Sequence, residues 1–517
     1  MLHHKPRFTY SGLTVVLSNP SRFDRVNLLS ANGGRLFDEL LSPEYNRFQC
    51  DIRLKEDSSP LLPCTKVILL LGEPAMKLWT RNIDNTLGQM RGSLFWYDGF
   101  LTQQYGCHIA MIASFYPQDA TDIQNYEKEF NSHGGRDDED VSDDSQESAV
   151  ATKSRHGRTK RKNYRFWLKQ DLNKIKYLLK NDGQPPLNNP KPNYVLNPKS
   201  EEVIDILTST KEKELYIDIE TDVPHCNLQC LSFSYGLSTP ILSLPIFNPD
   251  DSWSYSNLPS IFRALAIAFN QNTVIAHNGA AFDFLVFSWK YHIPVGPKLY
   301  DTMIAHHRCY SDVEKSLGHC TSLYTWEPFH KDEGSSGWGN FAQMQQRLQY
   351  CAKDVYTMML VKKGIDEYAS KIPGLQLSID SANAAIRPYL ITTLQGIQYD
   401  ELERQAVVKE NDALMMHYIR WLDILIGKDS LKEIRGKGKS SLPSSNKQCC
   451  EYFHNLLGYP VVARGEMRQD GSRAPSLGKK AMYKLRLKHD NPVIDIVLAY
   501  RECAKESSSL GFIPWKD

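Results

Sequence analysis

Three short stretches of the 517-residue chain carry side chains suited to chemistry: Asp218-Ile219-Glu220, Asn278-Gly279-Ala280-Ala281-Phe282-Asp283 and Tyr350-Cys351-Ala352-Lys353-Asp354. Together they supply four carboxylates and one phenol. Hard divalent cations take oxygen ligands, and two held side by side stabilise the attacking and leaving oxygens of an in-line displacement at phosphorus. The set therefore matches what phosphodiester hydrolysis with two metal ions requires. Asp218, Glu220, Asp283 and Asp354 are the candidate ligands, and Tyr350 is the candidate for aiming a water. Acid pairs on strands and a Tyr-x-x-x-Asp spacing on a helix are each common on solvated surfaces, so the weight lies in the ordered set.

Each stretch needs an element to aim it. Leu215-Tyr216-Ile217-Asp218-Ile219-Glu220-Thr221 alternates and predicts a strand. Residues i and i+2 of a strand share a face, so Asp218 and Glu220 point the same way. Val274 to Asn278 reads as a second strand closed by Gly279, and Phe282 to Tyr291 as a helix with Asp283 in its first turn. From Phe341 to Ala369 the apolar positions, Leu348, Val355 and Met359 among them, predict a long helix. Tyr350 and Asp354 are i, i+4 neighbours on it.

These motifs resemble the tyrosine-bearing branch of the DEDD 3′→5′ exonucleases, the proofreading type, over residues 213–376, with Asp301-Thr302 and Ser316-Leu317 included. The resemblance implies an RNase H-like domain holding two divalent metal ions, Mg2+ or Mn2+. By it Asp218 bridges both ions, Glu220 and Asp354 hold the one that activates water, and Asp283 reaches the other through water. Tyr350 orients the nucleophile, and Thr221, Asn278 and Phe282 shape the pocket for the terminal nucleotide. Asp222-Val223-Pro224-His225 departs from the family where a wedge separates the last base.

Composition bounds the rest. A formal net charge of +1 leaves nucleic-acid contact to local patches. The 11 cysteines form no framework, and no secretory signal or spanning apolar run appears, so a reducing, cytoplasmic setting without a membrane is expected. Cys226 with Cys230, and Cys449-Cys450, lack a second pair at zinc-site spacing and read as buried or incidental thiols. Residues 133–163 run acidic and then basic, the pattern of a disordered insertion. Residues 183–212, with Pro185, Pro186, Pro190, Pro192 and Pro198, read as an extended linker.

The expected fold class is a multidomain α/β chain. Residues 1–182 carry apolar runs at Leu13–Leu17, Val67–Leu71 and Ile109–Ala113, which predict an α/β/α sandwich on a parallel sheet. This segment resembles a family-4 uracil-DNA glycosylase. It departs where Tyr116 replaces the family's histidine, where Ser18-Asn19-Pro20-Ser21 replaces the first catalytic loop, and where the cluster cysteines are missing. It reads as a glycosylase fold without that activity, serving as a DNA-contacting or partner-docking module, with uracil release as the alternative. Residues 377–517 are mainly helical and resemble the thumb of family A DNA polymerases, with Arg435, Lys437, Lys439, Lys447 and Lys479 as candidate phosphate contacts.

No palm or fingers motif follows Tyr500-Arg501 before the end at Trp515-Lys516-Asp517, so the chain is expected to be either a truncated piece or one subunit of a split polymerase, whose partner would be a second polypeptide carrying palm and fingers. The order of segments resembles bacteriophage replication polymerases. The resulting expectation is a proofreading 3′→5′ exodeoxyribonuclease that releases 5′-mononucleotides from a primer 3′ end on a primer–template duplex. A non-catalytic DNA-clamping accessory subunit and a free-standing RNA-trimming exonuclease are the alternatives.

Overall fold

The computed structural model describes residues 10–18, 31–62, 64–83, 85–97, 109–115, 117, 165–186, 190–211, 213–222, 225–248, 252–334, 343–435, 442–467 and 473–511. Uninterrupted aliphatic runs make strands covered on both faces, and the amino-terminal segment is built from them. Its elements are β1 (Leu13–Leu17), α1 (Ala31–Leu41), β2 (Asp51–Leu54), β3 (Val67–Leu71), α2 (Glu73–Thr80), α3 (Leu87–Met90), β4 (Leu94–Tyr97), β5 (Ile109–Ser114) and a helix α4 over 165–180. The sheet order is β2-β1-β3-β5-β4, parallel except for β4 at the edge. Alternate strand residues enter two cores, one closed by Phe37 of α1 and Leu172 of α4, the other by Met76 of α2 and Met90 of α3. Helices on both faces give the expected layered sandwich. Asn19, Pro20, Ser21, Tyr116 and the stretch 133–163 lie outside the described residues.

The second sheet carries the acidic motifs. Its elements are β6 (Tyr194–Leu196), α5 (Ser200–Ser209), β7 (Glu214–Thr221), β8 (Leu228–Ser234), β9 (Ile241–Pro245), α6 (Leu258–Gln271), β10 (Thr273–Ala276) and α7 (Asp283–Trp289). There follow β11 (Leu299–Asp301), α8 (Thr302–Cys309), α9 (Leu317–Tyr324), α10 (Met344–Ala369), α11 (Leu375–Ala384) and α12 (Ile386–Gln395). The order is β11-β10-β7-β8-β9-β6, with an antiparallel meander β7–β8–β9 at its centre and β10 parallel to β7. Helices α5, α6 and α7 cover one face around Leu265, Phe269 and Phe287. The long helix α10 covers the other through Val355, Met358 and Met359.

Two expected boundaries are corrected here. The stretch 183–212 is not all linker: Tyr194, Val195 and Leu196 pair in register with Ile241, Leu242 and Ser243, and α5 packs beside α6. Three residues are too few to show a period, so only the prolines were legible. The break placed at 376 falls instead after Gln395, because Ile386 and Leu390 of α12 are buried in the core beside α7.

The remaining unit, from Gly396 onward, is mainly helical as expected. It contains α13 (Glu401–Leu425), α14 (Lys428–Arg435), α15 (Asn446–Cys450), the hairpin β12 (Arg464–Met467) and β13 (Arg473–Pro475), α16 (Lys479–Arg486) and α17 (Pro492–Gly511). Asp400 caps α13 by accepting from Leu402 and Glu403 N–H, which satisfies donors at the helix start. Helices α13 and α17 run antiparallel: Arg404 donates to Leu510 O at 2.7 Å and Asn411 to a Glu506 carboxylate oxygen at 3.1 Å. Phe453, Met482, Leu485 and Val497 form the core. Among the described residues no helix is long and apolar enough to cross a membrane.

Candidate active site

In β7, Ile217 and Ile219 are buried toward α6 and α7, so alternation turns Asp218 and Glu220 toward α10. A register shift between Glu220 and Thr221 against β8 ends the regular ladder there. From α10, Asp354 meets the strand, one turn along from Tyr350. Carboxylate oxygens of Asp218, Glu220 and Asp354 all lie within 4.8 Å of one another. Three of the four predicted ligands thus converge.

Asp283 stands outside that trio. Its Oδ1 accepts from Ile219 N–H at 3.2 Å, which docks the start of α7 on β7. The loop leading to it is shaped by Asp301. That buried carboxylate accepts from Asn278 N–H and Ala280 N–H, each at 3.0 Å, and caps α8 through Met303 N–H at 2.8 Å. Asn278 takes φ +65, a left-handed conformation that Asn tolerates, and Phe282 precedes α7 packed partly into its core.

Crowded, buried anions resist ionisation. Burial and then the charge of Asp354 raise the Asp218 carboxyl well above its ordinary range and take Glu220 to about 7. Burial raises Asp283 to about 8, opposed by its backbone hydrogen bonds. Asp354 behaves oppositely: burial works against its charge, but Lys331 and His330 outweigh it and hold the carboxyl below its usual value. Lys331 Nζ donates to Asp354 Oδ2 at 2.5 Å and to Tyr350 Oη at 3.1 Å, and His330 Nε2 is 2.8 Å from Asp354 Oδ1. Cys351 Sγ lies 3.3 Å from both the carbonyl and Oδ2 of Asp218. Burial, then Asp354, keeps the Tyr350 phenol protonated by pushing its pKa up.

His330 and Lys331 escaped the sequence reading because they sit in a connection with no period, and only the fold brings them to Asp354. The donor set fits divalent metal: burial and then mutual repulsion raise the carboxyls of Asp218 and Glu220, and a hard cation among the three carboxylates relieves both. In the second unit Arg435 and Lys447 are exposed, and Lys479 pairs with Glu502 at 2.7 Å. Lys437 and Lys439 lie outside the described residues.

No curated protein sequence matches the chain. The POL domain of Pol1 from M. smegmatis, solved with DNA primer-template and dNTP, is 13% identical with a TM-score of 0.40, over 61% of this chain and 49% of that one. The chain thus spans about half the length of that structure. Escherichia coli RNase D, an exoribonuclease involved in structured RNA processing, is 12% identical with a TM-score of 0.31, over 62% of this chain and 76% of its own. The catalytic core of RRP6 from Trypanosoma brucei is also 12% identical, with a TM-score of 0.32 over 63% and 81%. Residues 197–367, which contain all five motif residues, match the 3′-5′ exonuclease model of the family A DNA polymerase type, and that segment is a 3′-5′ exonuclease domain.

Proposed function

We propose that the chain is a divalent-metal-dependent exonuclease that removes the 3′-terminal nucleotide of DNA, as the proofreading part of a family A polymerase. The observation that carries this is the convergence of Asp218, Glu220 and Asp354 within 4.8 Å inside a 3′-5′ exonuclease domain. Asp218, Glu220 and Asp354, with Asp283 behind them, would hold Mg2+ or Mn2+. Bound there, the ions supply Lewis-acid stabilisation of the charge that develops at the scissile phosphate. Tyr350, kept as a neutral phenol beside Asp354, can donate its O–H to the attacking water and so orient it. Thr221, Asn278 and Phe282 would receive the terminal nucleotide. The helical unit that resembles a polymerase thumb supports a duplex substrate.

A 5′-labelled primer–template with a 3′ mismatch tests the reading in the presence of Mg2+. The expected result is a ladder shortening from the 3′ end, lost by about 10³-fold or more in Asp218→Ala/Glu220→Ala with DNA binding retained. Equal digestion by wild type and variant would overturn it. A matched RNA strand in parallel decides whether the sugar is discriminated.

A further inference from the structure

The connection that carries His330 and Lys331 to the acidic cluster is anchored on the amino-terminal domain. From α4, Lys174 Nζ donates to Ser322 O at 2.6 Å, Thr325 O at 2.7 Å and Gly92 O at 2.8 Å. Arg91 Nη1, from the same domain, is 3.3 Å from Ser322 Oγ. Gly92, at φ +70, permits the approach: a Cβ there would lie 2.6 Å from Asp171 Oδ1 and 3.4 Å from Ser322 O. Trp326 packs against the core formed by α1 and α4, its ring centroid 5.2 Å from that of Tyr177 and 5.3 Å from the Lys174 ammonium. Three residues on, Phe329 packs against the core on the other face of the same sheet. One and two residues beyond that anchor, His330 and Lys331 reach Asp354, and Lys331 also reaches Tyr350.

Asp354 is one of the three carboxylates that would hold a metal ion, and the Lys331 ammonium holds its Oδ2 at 2.5 Å. We propose that the amino-terminal domain is the platform that presents Lys331 to the exonuclease site, where Lys331 serves twice. In the metal-free site it is an exchangeable cation on Asp354, and during hydrolysis it positions Tyr350. The inference rests on the exonuclease reading and adds to it a role for residues 10–186. An ammonium so placed competes for a ligand oxygen and repels a divalent ion at short range. Its removal therefore tightens metal binding while it slows turnover, because Tyr350 Oη loses the hydrogen bond that Lys331 donates at 3.1 Å. A residue needed only for folding would weaken both.

The test measures free Mn2+ by electron paramagnetic resonance during titration of the full chain, alongside kcat and KM on the mismatched primer. Lys331→Met should bind Mn2+ about tenfold more tightly, with kcat about tenfold lower and KM unchanged. Lys331→Arg, which keeps the cation, should stay near wild type in metal affinity. Phe329→Ala should shift both quantities in the same directions by about threefold, because a loosened connection presents Lys331 less often, and Phe329→Leu should restore them. Circular dichroism verifies that each variant is folded. Metal affinity in Lys331→Met equal to or weaker than wild type overturns the exchangeable cation. Wild-type metal binding and kcat in folded Phe329→Ala overturn the platform. Failure of the exonuclease reading itself looks different: wild-type protein would then neither bind Mn2+ in an Asp218- and Glu220-dependent way nor shorten DNA.

Discussion

Asp283 and Glu220 carry folded-state pKa values of about 8 and about 7, raised chiefly by burial. In an unfolded chain such groups titrate near 4. The folded protein therefore holds more protons than the unfolded one between those limits, and linkage makes the metal-free protein lose stability as pH rises from about 4 through about 8. The stability is fully present below the unfolded value and lost as pH passes through the folded ones. Urea unfolding of metal-free protein across this range should show that decline. Asp283→Asn keeps an acceptor for Ile219 N–H and removes the charge, so it should flatten the slope and stabilise the protein at about pH 9 by about 1–3 kcal/mol. An unchanged slope in that variant would sink this assignment.

At the scale of elements, the site depends on how closely α7 approaches the end of β10. Gly279 makes the turn between them. A Cβ on it would lie 2.5 Å from Ala276 Cβ and 3.0 Å from Phe284 Cζ, both fully buried, so neither has room to retreat. Gly279→Ala should therefore push α7 and its first residue, Asp283, off β7. A loss of about 1–3 kcal/mol in denaturant unfolding is expected, together with a fall in kcat larger than the loss of folded protein explains. Wild-type stability would mean that the turn accommodates the methyl group. The alternation of β7 and the i, i+4 spacing on α10 were both legible beforehand, because each follows from the local geometry of one element. The docking of Asp283 through Ile219 N–H was not, since it depends on the turn between two elements.

At the scale of the whole molecule, a buried ion pair sits beside the seam between the two sheets. Arg91 Nη2 is 2.6 Å from Asp171 Oδ1, with side-chain exposures of 1% and 0%. Arg91 also lies over the Trp167 ring, its Cζ 3.8 Å from the centroid, and Ser114 Oγ donates to Asp171. Asp171→Ala leaves a buried guanidinium without its carboxylate and should cost about 3–5 kcal/mol, whereas an apolar replacement of both partners should recover most of that loss. Denaturant unfolding of the single and double variants measures it. Equal losses in both would show that packing around Trp167, and not the charge, holds this seam.

Local pattern determined a good deal by itself. It placed Asp218 and Glu220 on one face of a strand and Tyr350 and Asp354 on one face of a helix. It also showed three aliphatic strands near the amino terminus and a helical carboxy-terminal unit, because periodicity is written into consecutive residues. Tertiary structure decided what period cannot reach. It brought α10 across β7 so that three carboxylates lie within 4.8 Å, and it left Asp283 beside them on the backbone of Ile219. It moved the domain boundary from 376 to beyond Gln395, since the burial of Ile386 and Leu390 is set by the surface they meet. It also carried Lys331 to Asp354 along a connection anchored by Trp326 and Phe329 on another sheet. A side chain in an aperiodic segment is placed by whatever its neighbours bury against, and that surface is assembled from residues far away in the chain.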